Sequence, residues 1–126
     1  MQAVTLIIDK RLELSTKYKR LLESTSNKVI ISKDIISALK IIQDKEPDLI
    51  IISDSFDNDL SDFCKQVRAL TYNMRPIIIA MSKSADFSDR INVLNSGADD
   101  FLSEPVNPEE FKVRIQAHLR RDFEST

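Results

Sequence analysis

Asp48-Leu49-Ile50-Ile51-Ile52-Ser53-Asp54 is the stretch that decides the fold. Its middle carries no polar side chain until Ser53, and three of its residues are β-branched isoleucines. A short apolar run of this kind suits a central parallel strand covered on both faces. Pro47 stands just before it, where proline fits a strand entrance and not a sheet interior. Asp54 closes the run. In an open α/β sheet, ligands and chemistry sit outside the carboxyl ends of the strands. A carboxylate at that end is therefore the first functional candidate. The competing reading is that Asp54 only starts a loop or caps the next helix.

Working outward, the same alternation of apolar runs and amphipathic stretches repeats on both sides. Before the central run, Ala3-Val4-Thr5-Leu6-Ile7-Ile8 reads as a first buried strand ended by Asp9. Residues 11–23 place Leu14, Tyr18, Leu21 and Leu22 on one helical face. Lys28-Val29-Ile30-Ile31 is a short second strand. Asp34 is placed to cap a helix over residues 35–44, with Ile35, Ala38, Leu39 and Ile42 inward. After the central run, residues 55–59 form a polar loop. Residues 62–70 predict a third helix that uses Phe63, Val67 and Leu70. Pro76 introduces the fourth strand, Ile77-Ile78-Ile79-Ala80-Met81, which ends at Ser82. A fourth helix begins at Asp86 or Ser88, with Ile91 and Leu94 inward, and stops at Gly97, the only glycine. Asp100-Phe101-Leu102-Ser103 is a fifth strand, broken by Glu104-Pro105. Pro108 opens the last helix, which buries Phe111, Val113 or Ile115, and Leu119. Five alternations of strand and helix argue for a doubly wound α/β domain, a five-stranded parallel sheet with helices on both faces.

The 126 residues fit one domain, expected over 1–123, with 124–126 a tail or the start of a linker. Apolar residues make up 42% and charged residues 30%, and the net charge is -2, so nothing points to nucleic-acid or membrane binding by this domain. Cys64 is the only cysteine, which excludes a disulfide within the chain and agrees with a reducing, cytoplasmic setting. No apolar run approaches the roughly 20 residues of a membrane span. No basic region or cleavage pattern marks a signal peptide at the start. Cys64 reads as a small buried apolar residue. His118, the only histidine, lies beside basic residues on the last helix and reads as half-exposed. Asp57, Asp59 and Asp62 lack the spacing of a calcium loop and read as a solvated loop with a helix cap. No Gly-rich phosphate loop and no nucleophile–base pair appears, so the chain does not read as an enzyme.

The carboxyl ends of the first, third, fourth and fifth strands collect Asp9 with Lys10, Asp54, Ser82 and Glu104 before Pro105. Together with Asp89-Arg90 and the run Asn95-Ser96-Gly97-Ala98-Asp99-Asp100-Phe101-Leu102, this resembles the receiver domain of two-component response regulators over essentially the whole chain. The resemblance implies the flavodoxin-like strand order 2-1-3-4-5. It implies a phosphoacceptor at Asp54, with Ser53 a rival because Pro47 to Asp54 is one residue longer than usual. It also implies a switch hydroxyl at Ser82 and a switch aromatic at Phe101. The residue-level alternatives stand beside these: Phe101 as core, and Ser82 as a strand end.

Several positions depart from the family pattern. Two adjacent acids usually help to hold Mg²⁺ after the first strand; here Asp9 is followed by Lys10. The lysine before the proline is Glu104. The Pro-Gly of the loop after the phosphoacceptor is replaced by Asp57, Asn58 and Asp59. Phosphoryl transfer to a carboxylate needs charge neutralisation, much of it from a hard cation with oxygen ligands. With Lys10 in place of an acid, Mg²⁺ is doubtful and at most weakly held by Asp9 and Asp54. Lys10 and Glu104 read as a charge exchange in which Lys10 pairs with Asp54, Asp9 or Glu104 and takes the metal's position. The expectation is a pseudo-receiver that takes up phosphate poorly or not at all and acts by protein–protein interaction. Its expected partners are a histidine kinase or an output domain. The fourth helix, fifth strand and fifth helix form the family's output face. Arg90, Asp99, Asp100, Arg114, Arg120 and Arg121 there suggest a homodimer like that of related DNA-binding regulators, against the alternative of a solvated charged surface. The chain reads as a stand-alone receiver or as a fragment of a longer one. A phosphorelay-independent, flavodoxin-like domain that binds an anion or small molecule is the alternative function. The resemblance also implies a cis Glu104-Pro105 bond.

Overall fold

The computed structural model describes residues 2–25, 27–56, 59–84 and 86–124, with 121–124 as backbone only. The order is β1 (Ala3–Ile8), α1 (Leu12–Glu23), β2 (Asn27–Ser32), α2 (Ile35–Lys45), β3 (Leu49–Ser53), α3 (Leu60–Leu70), β4 (Ile77–Ser82), α4 (Phe87–Asn95), β5 (Asp100–Ser103) and α5 (Pro108–Glu124). The strands form one sheet in the order β2-β1-β3-β4-β5, and each paired neighbour is parallel. This is the expected flavodoxin-like order, with β3 at its centre.

The register explains why the apolar runs are continuous. Ile8, Ile52, Ala80 and Phe101 lie in one row across four strands. They join Ala38 and Ile42 of α2, Phe63, Cys64 and Val67 of α3, and Val93 of α4 in one core. Residues one step along the strands, among them Ile7, Ile51, Ile79 and Leu102, meet Tyr18 and Leu22 of α1 and Phe111, Ile115 and Leu119 of α5. Helices thus cover both faces, and every residue of β3 is buried. Burial pushes the Cys64 thiol up to about 11, as befits a core residue.

Side-chain caps set several helix starts. Asp34 accepts from the backbone N–H of Ser37, Asp59 from Ser61, and Asp86 from Ser88. Asp59 therefore starts α3 two residues before the expected residue 62; Asp57 and Asn58 lie outside the described residues. Gly97 follows α4 with φ +121, a conformation that a side chain resists. The Glu104-Pro105 bond is cis, as the resemblance implies.

The inward face of α4 differs from expectation. Val93 is its buried residue, whereas Ile91 and Leu94 are 40% and 37% exposed. At roughly 100° per residue, Ile91 lies about 200° from Val93 and turns away from the sheet. Val93 is the residue by which the short helix joins the core, and Ala98 after the helix joins it too. In α5, Ile115 is buried and Val113 is exposed. No helix among the described residues is long and apolar enough to cross a membrane.

Candidate functional site

The site lies where β1, β3, β4 and β5 end. Asp9 follows β1 directly and is 1% exposed. Such a carboxylate must be hydrogen-bonded or paired, and Arg11 does both. Its backbone N–H donates to Asp9 Oδ1 at 2.8 Å, its Nε to the same oxygen at 2.9 Å, and its Nη2 to Oδ2 at 3.0 Å. The same Nη2 reaches across the sheet to Glu104 Oε2 at 2.9 Å and Oε1 at 3.1 Å. Tyr18, from the first helix, donates its hydroxyl to Glu104 Oε2 at 2.9 Å. The Glu104 side chain is 3% exposed and the Arg11 side chain 27%. Every carboxylate oxygen in this cluster is engaged. The hydrogen bonds with Asp9, and then Glu104, raise the Arg11 guanidinium above its ordinary value against the opposing effect of burial. Burial first, and Glu104 second, raise the Tyr18 phenol.

Asp54 lives differently. It is exposed, and its backbone N–H is tied to Met81 O at 2.8 Å. Its Oδ2 accepts from Ser82 Oγ at 3.0 Å. Ser82 Oγ in turn accepts from the backbone N–H of Ser84. A cleft of about 250 Å³ is lined by Lys10, Arg11, Asp54, Ser55, Ser82, Lys83, Ser84 and Glu104. A second, of about 240 Å³, runs from Asp54 and Ser82 past Asp59 and Asp89 to Phe101. Asp54, Ser82 and Phe101 are thus brought to one place. Ser53 is buried, and its hydroxyl meets Ser55 Oγ at 2.7 Å. Asp54, not Ser53, opens to the cleft.

The expected role of Lys10 is corrected by this geometry. Lys10 is exposed and joins no ion pair among the described residues; its backbone N–H donates to Ser55 Oγ. Arg11 makes the contacts with Asp9 and Glu104 instead. Residue 10 is turned to the mouth of the cleft, while the backbone bond from Arg11 to Asp9 curls the chain so that the next side chain lies over both acids. Both oxygens of Asp9 are committed to Arg11, and no group of three or more His, Cys, Asp or Glu among the described residues is placed to hold a metal ion. Arg11, Tyr18, Ser55, Lys83 and Ser84 were not legible as site residues. The available signal was a second basic residue two positions after Asp9, within local hydrogen-bonding reach of its carboxylate.

Phe101 is 6% exposed and packs in the core, with the Arg90 guanidinium 5.3 Å from its ring centroid. Arg90 also donates to Ser103 Oγ. Asp99 pairs with Arg68 at 2.9 Å. Asp100 accepts from Arg114 at 3.3 Å and lies 2.9 Å from His118 Nε2. His118 is half-buried, in keeping with the expected half-exposure, and its ring also meets the Asp100 carboxylate. Arg120 is exposed, and the Arg121 side chain lies outside the described residues.

The sequence matches the response regulator receiver domain family over residues 5–116. It is 40% identical over 125 residues to the response regulator GtcR of Aneurinibacillus migulanus, covering 98% of this chain and 50% of that protein. It is 33% identical over 122 residues to the alkaline phosphatase synthesis transcriptional regulatory protein PhoP of Bacillus subtilis, covering 96% and 50%. The chain thus spans about half the length of these relatives. A crystal structure of a two-component response regulator from Clostridium difficile superposes with TM-score 0.88 at 30% identity, over 95% of this chain and 98% of that one. The fold, the run from Gly97 to Pro105 and the sequence match converge, and the chain belongs to the receiver domain family of two-component response regulators.

Proposed function

We propose that this receiver is atypical: Asp54 is phosphorylated weakly or not at all, and the domain acts mainly through protein–protein contacts. One observation carries the reading. Asp9 and Glu104, the two buried acids of the cleft, are both held by Arg11. Stabilising a transferring phosphoryl group relies on positioned charge. Here the guanidinium is already committed to two carboxylates, and the position of the family's lysine carries a negative charge. Receiver domains are signalling modules, and the family match gives no support to a phosphorelay-independent small-molecule domain. A histidine kinase or an output domain is the partner class that the relatives suggest, in a cytoplasmic setting.

The dimer face is part of the same reading. Phe87, Ile91 and Leu94 share one face of α4 by their spacing and are 73%, 40% and 37% exposed. Arg90 on α4, Asp99 and Asp100 at the start of β5, and Arg114 and Arg120 on α5 add residues of both charge signs to these elements. A two-fold axis lets such a surface meet its own complement, so the occupant is a second copy of this chain. The internal pairs of Asp99 with Arg68 and of Asp100 with Arg114 and His118 would be exchanged or extended across the axis. Ile91→Glu is expected to leave a monomer in sedimentation velocity; an unchanged dimer, or a wild type that is monomeric at all concentrations, would reject this face.

The phosphorylation claim is tested by intact mass after incubation with Mg²⁺ and a small acyl phosphate, beside Asp54→Ala. The expected result is little or no phosphate-sized gain in the wild type. A full gain that Asp54→Ala abolishes would make Asp54 a working phosphoacceptor and end the atypical reading.

A further inference from the structure

We infer that Arg11 is the resident cation of the cleft, and that its guanidinium is what keeps a divalent metal ion out. This rests on the receiver reading for where a cation belongs, but not on whether Asp54 is phosphorylated.

Three carboxylates gather at the carboxyl ends of β1, β3 and β5. Two of them, Asp9 and Glu104, are nearly inaccessible, and neither could stay buried without a countercharge. Arg11 supplies it with a planar fork suited to carboxylates. Its Nε and Nη2 take both oxygens of Asp9, and Nη2 also bridges to both oxygens of Glu104. Tyr18 completes Glu104. Every buried side-chain N and O among the described residues has a partner, so the cluster has no unmet demand for an ion. Of these three acids only Asp54 is exposed, and one carboxylate is too few oxygen ligands to dehydrate a hard cation; Asp59 and Asp89, farther along the neighbouring cleft, do not form a metal-holding group with it among the described residues.

The consequence is conditional. Removing the guanidinium, which itself lines the cleft, frees the oxygens of Asp9 and Glu104, and Glu104 and Asp54 already line that cleft. That is a set of oxygen donors of the class hard divalent ions prefer. Arg11 is then a specificity-determining residue: its charge is fixed in the chain, so the cleft does not respond to the divalent cation concentration.

The test follows backbone amides by NMR during titration with Mg²⁺, and paramagnetic broadening with Mn²⁺. In the wild type, no saturable change is expected at Asp9, Asp54 or Glu104 up to millimolar ion. Saturable binding there overturns the inference outright and needs no variant. In Arg11→Gln, saturable shifts and broadening at those three amides are expected, with a melting temperature that rises on adding Mg²⁺. The double variant Arg11→Gln with Glu104→Gln removes one charge of each sign, so it avoids the extra uncompensated acid. It should show the same gain at Asp9 and Asp54. A folded variant that remains blind to both ions contradicts the role assigned to Arg11. These outcomes are read from metal binding alone, whereas failure of the atypical-receiver reading appears as phosphate mass on the wild type.

Discussion

Asp9 and Asp54 end two adjacent strands of one sheet, yet their surroundings are opposite. Asp9 is buried, and both its oxygens are bound by Arg11. Asp54 is exposed, and its carboxylate takes one hydroxyl, from Ser82. The first belongs to the architecture: it helps tie β1 to β5 through Arg11 and Glu104. The second is free to meet what enters the cleft. A carboxylate at the carboxyl end of a strand is thus not one kind of object. Its burial, and the number of donors it already satisfies, decide whether it holds the fold or faces a ligand.

Removing Arg11 should break this contrast most severely. Arg11→Ala leaves two buried acids without their cation, and stability should fall by about 3 kcal/mol, the scale for breaking a buried pair. Urea unfolding with an unchanged slope would measure it. A loss no larger than for an exposed ion pair would mean that Asp9 and Glu104 are better solvated than the geometry implies.

Tyr18 sharpens the contrast from the Glu104 side. Tyr18→Phe removes one hydrogen bond to a buried carboxylate and should cost about 1–2 kcal/mol. The pH dependence has a definite sign. The phenol is raised in the folded state by burial and by Glu104. The folded protein therefore keeps a proton that the unfolded chain releases near its ordinary value of about 10. The Tyr18 contribution is fully present below that pH and is lost as pH rises toward the folded value. Tyr18→Phe should flatten the alkaline loss of stability in thermal melts from about pH 10 upward; an unchanged slope would mean that the phenol is not held.

Asp54 should give the smallest effect. Asp54→Ala removes an exposed side chain with one hydrogen bond and should change stability by no more than about 0.5 kcal/mol. A large loss would place Asp54 with Asp9 as a structural acid and weaken its assignment to the cleft.

Most of the fold was legible because its signals are local. The isoleucine runs, the Asp34 cap and Gly97 after α4 each act through neighbours in the chain. Where the reading missed, the deciding fact was three-dimensional. Ile91 and Leu94 look like core residues by hydrophobicity, but α4 rests on the sheet through Val93. A helix cap was expected within Asp57, Asp59 and Asp62; it is Asp59, and α3 begins at Leu60, before the expected residue 62.

The cleft was legible in membership and misread in pairing. Asp9, Asp54, Ser82 and Glu104 fall at strand ends, so topology alone collects them. The partner of Asp9 and Glu104 could not be read that way. Lys10 and Arg11 are adjacent and both basic, and the choice depends on which side chain turns over the buried acids. Tyr18, in the middle of α1, joins because its ring packs on Phe111 of α5, which brings its hydroxyl to Glu104.

The most direct test of the central claim is the Arg11 Nε–H signal in a ¹⁵N NMR spectrum, recorded without and with Mg²⁺. If Asp9 and Glu104 hold Arg11, the signal is resolved, slow to exchange with water, and unmoved by the ion. A signal lost to fast exchange, or one that shifts saturably as Mg²⁺ is added, would contradict the account and return the cleft to a divalent cation.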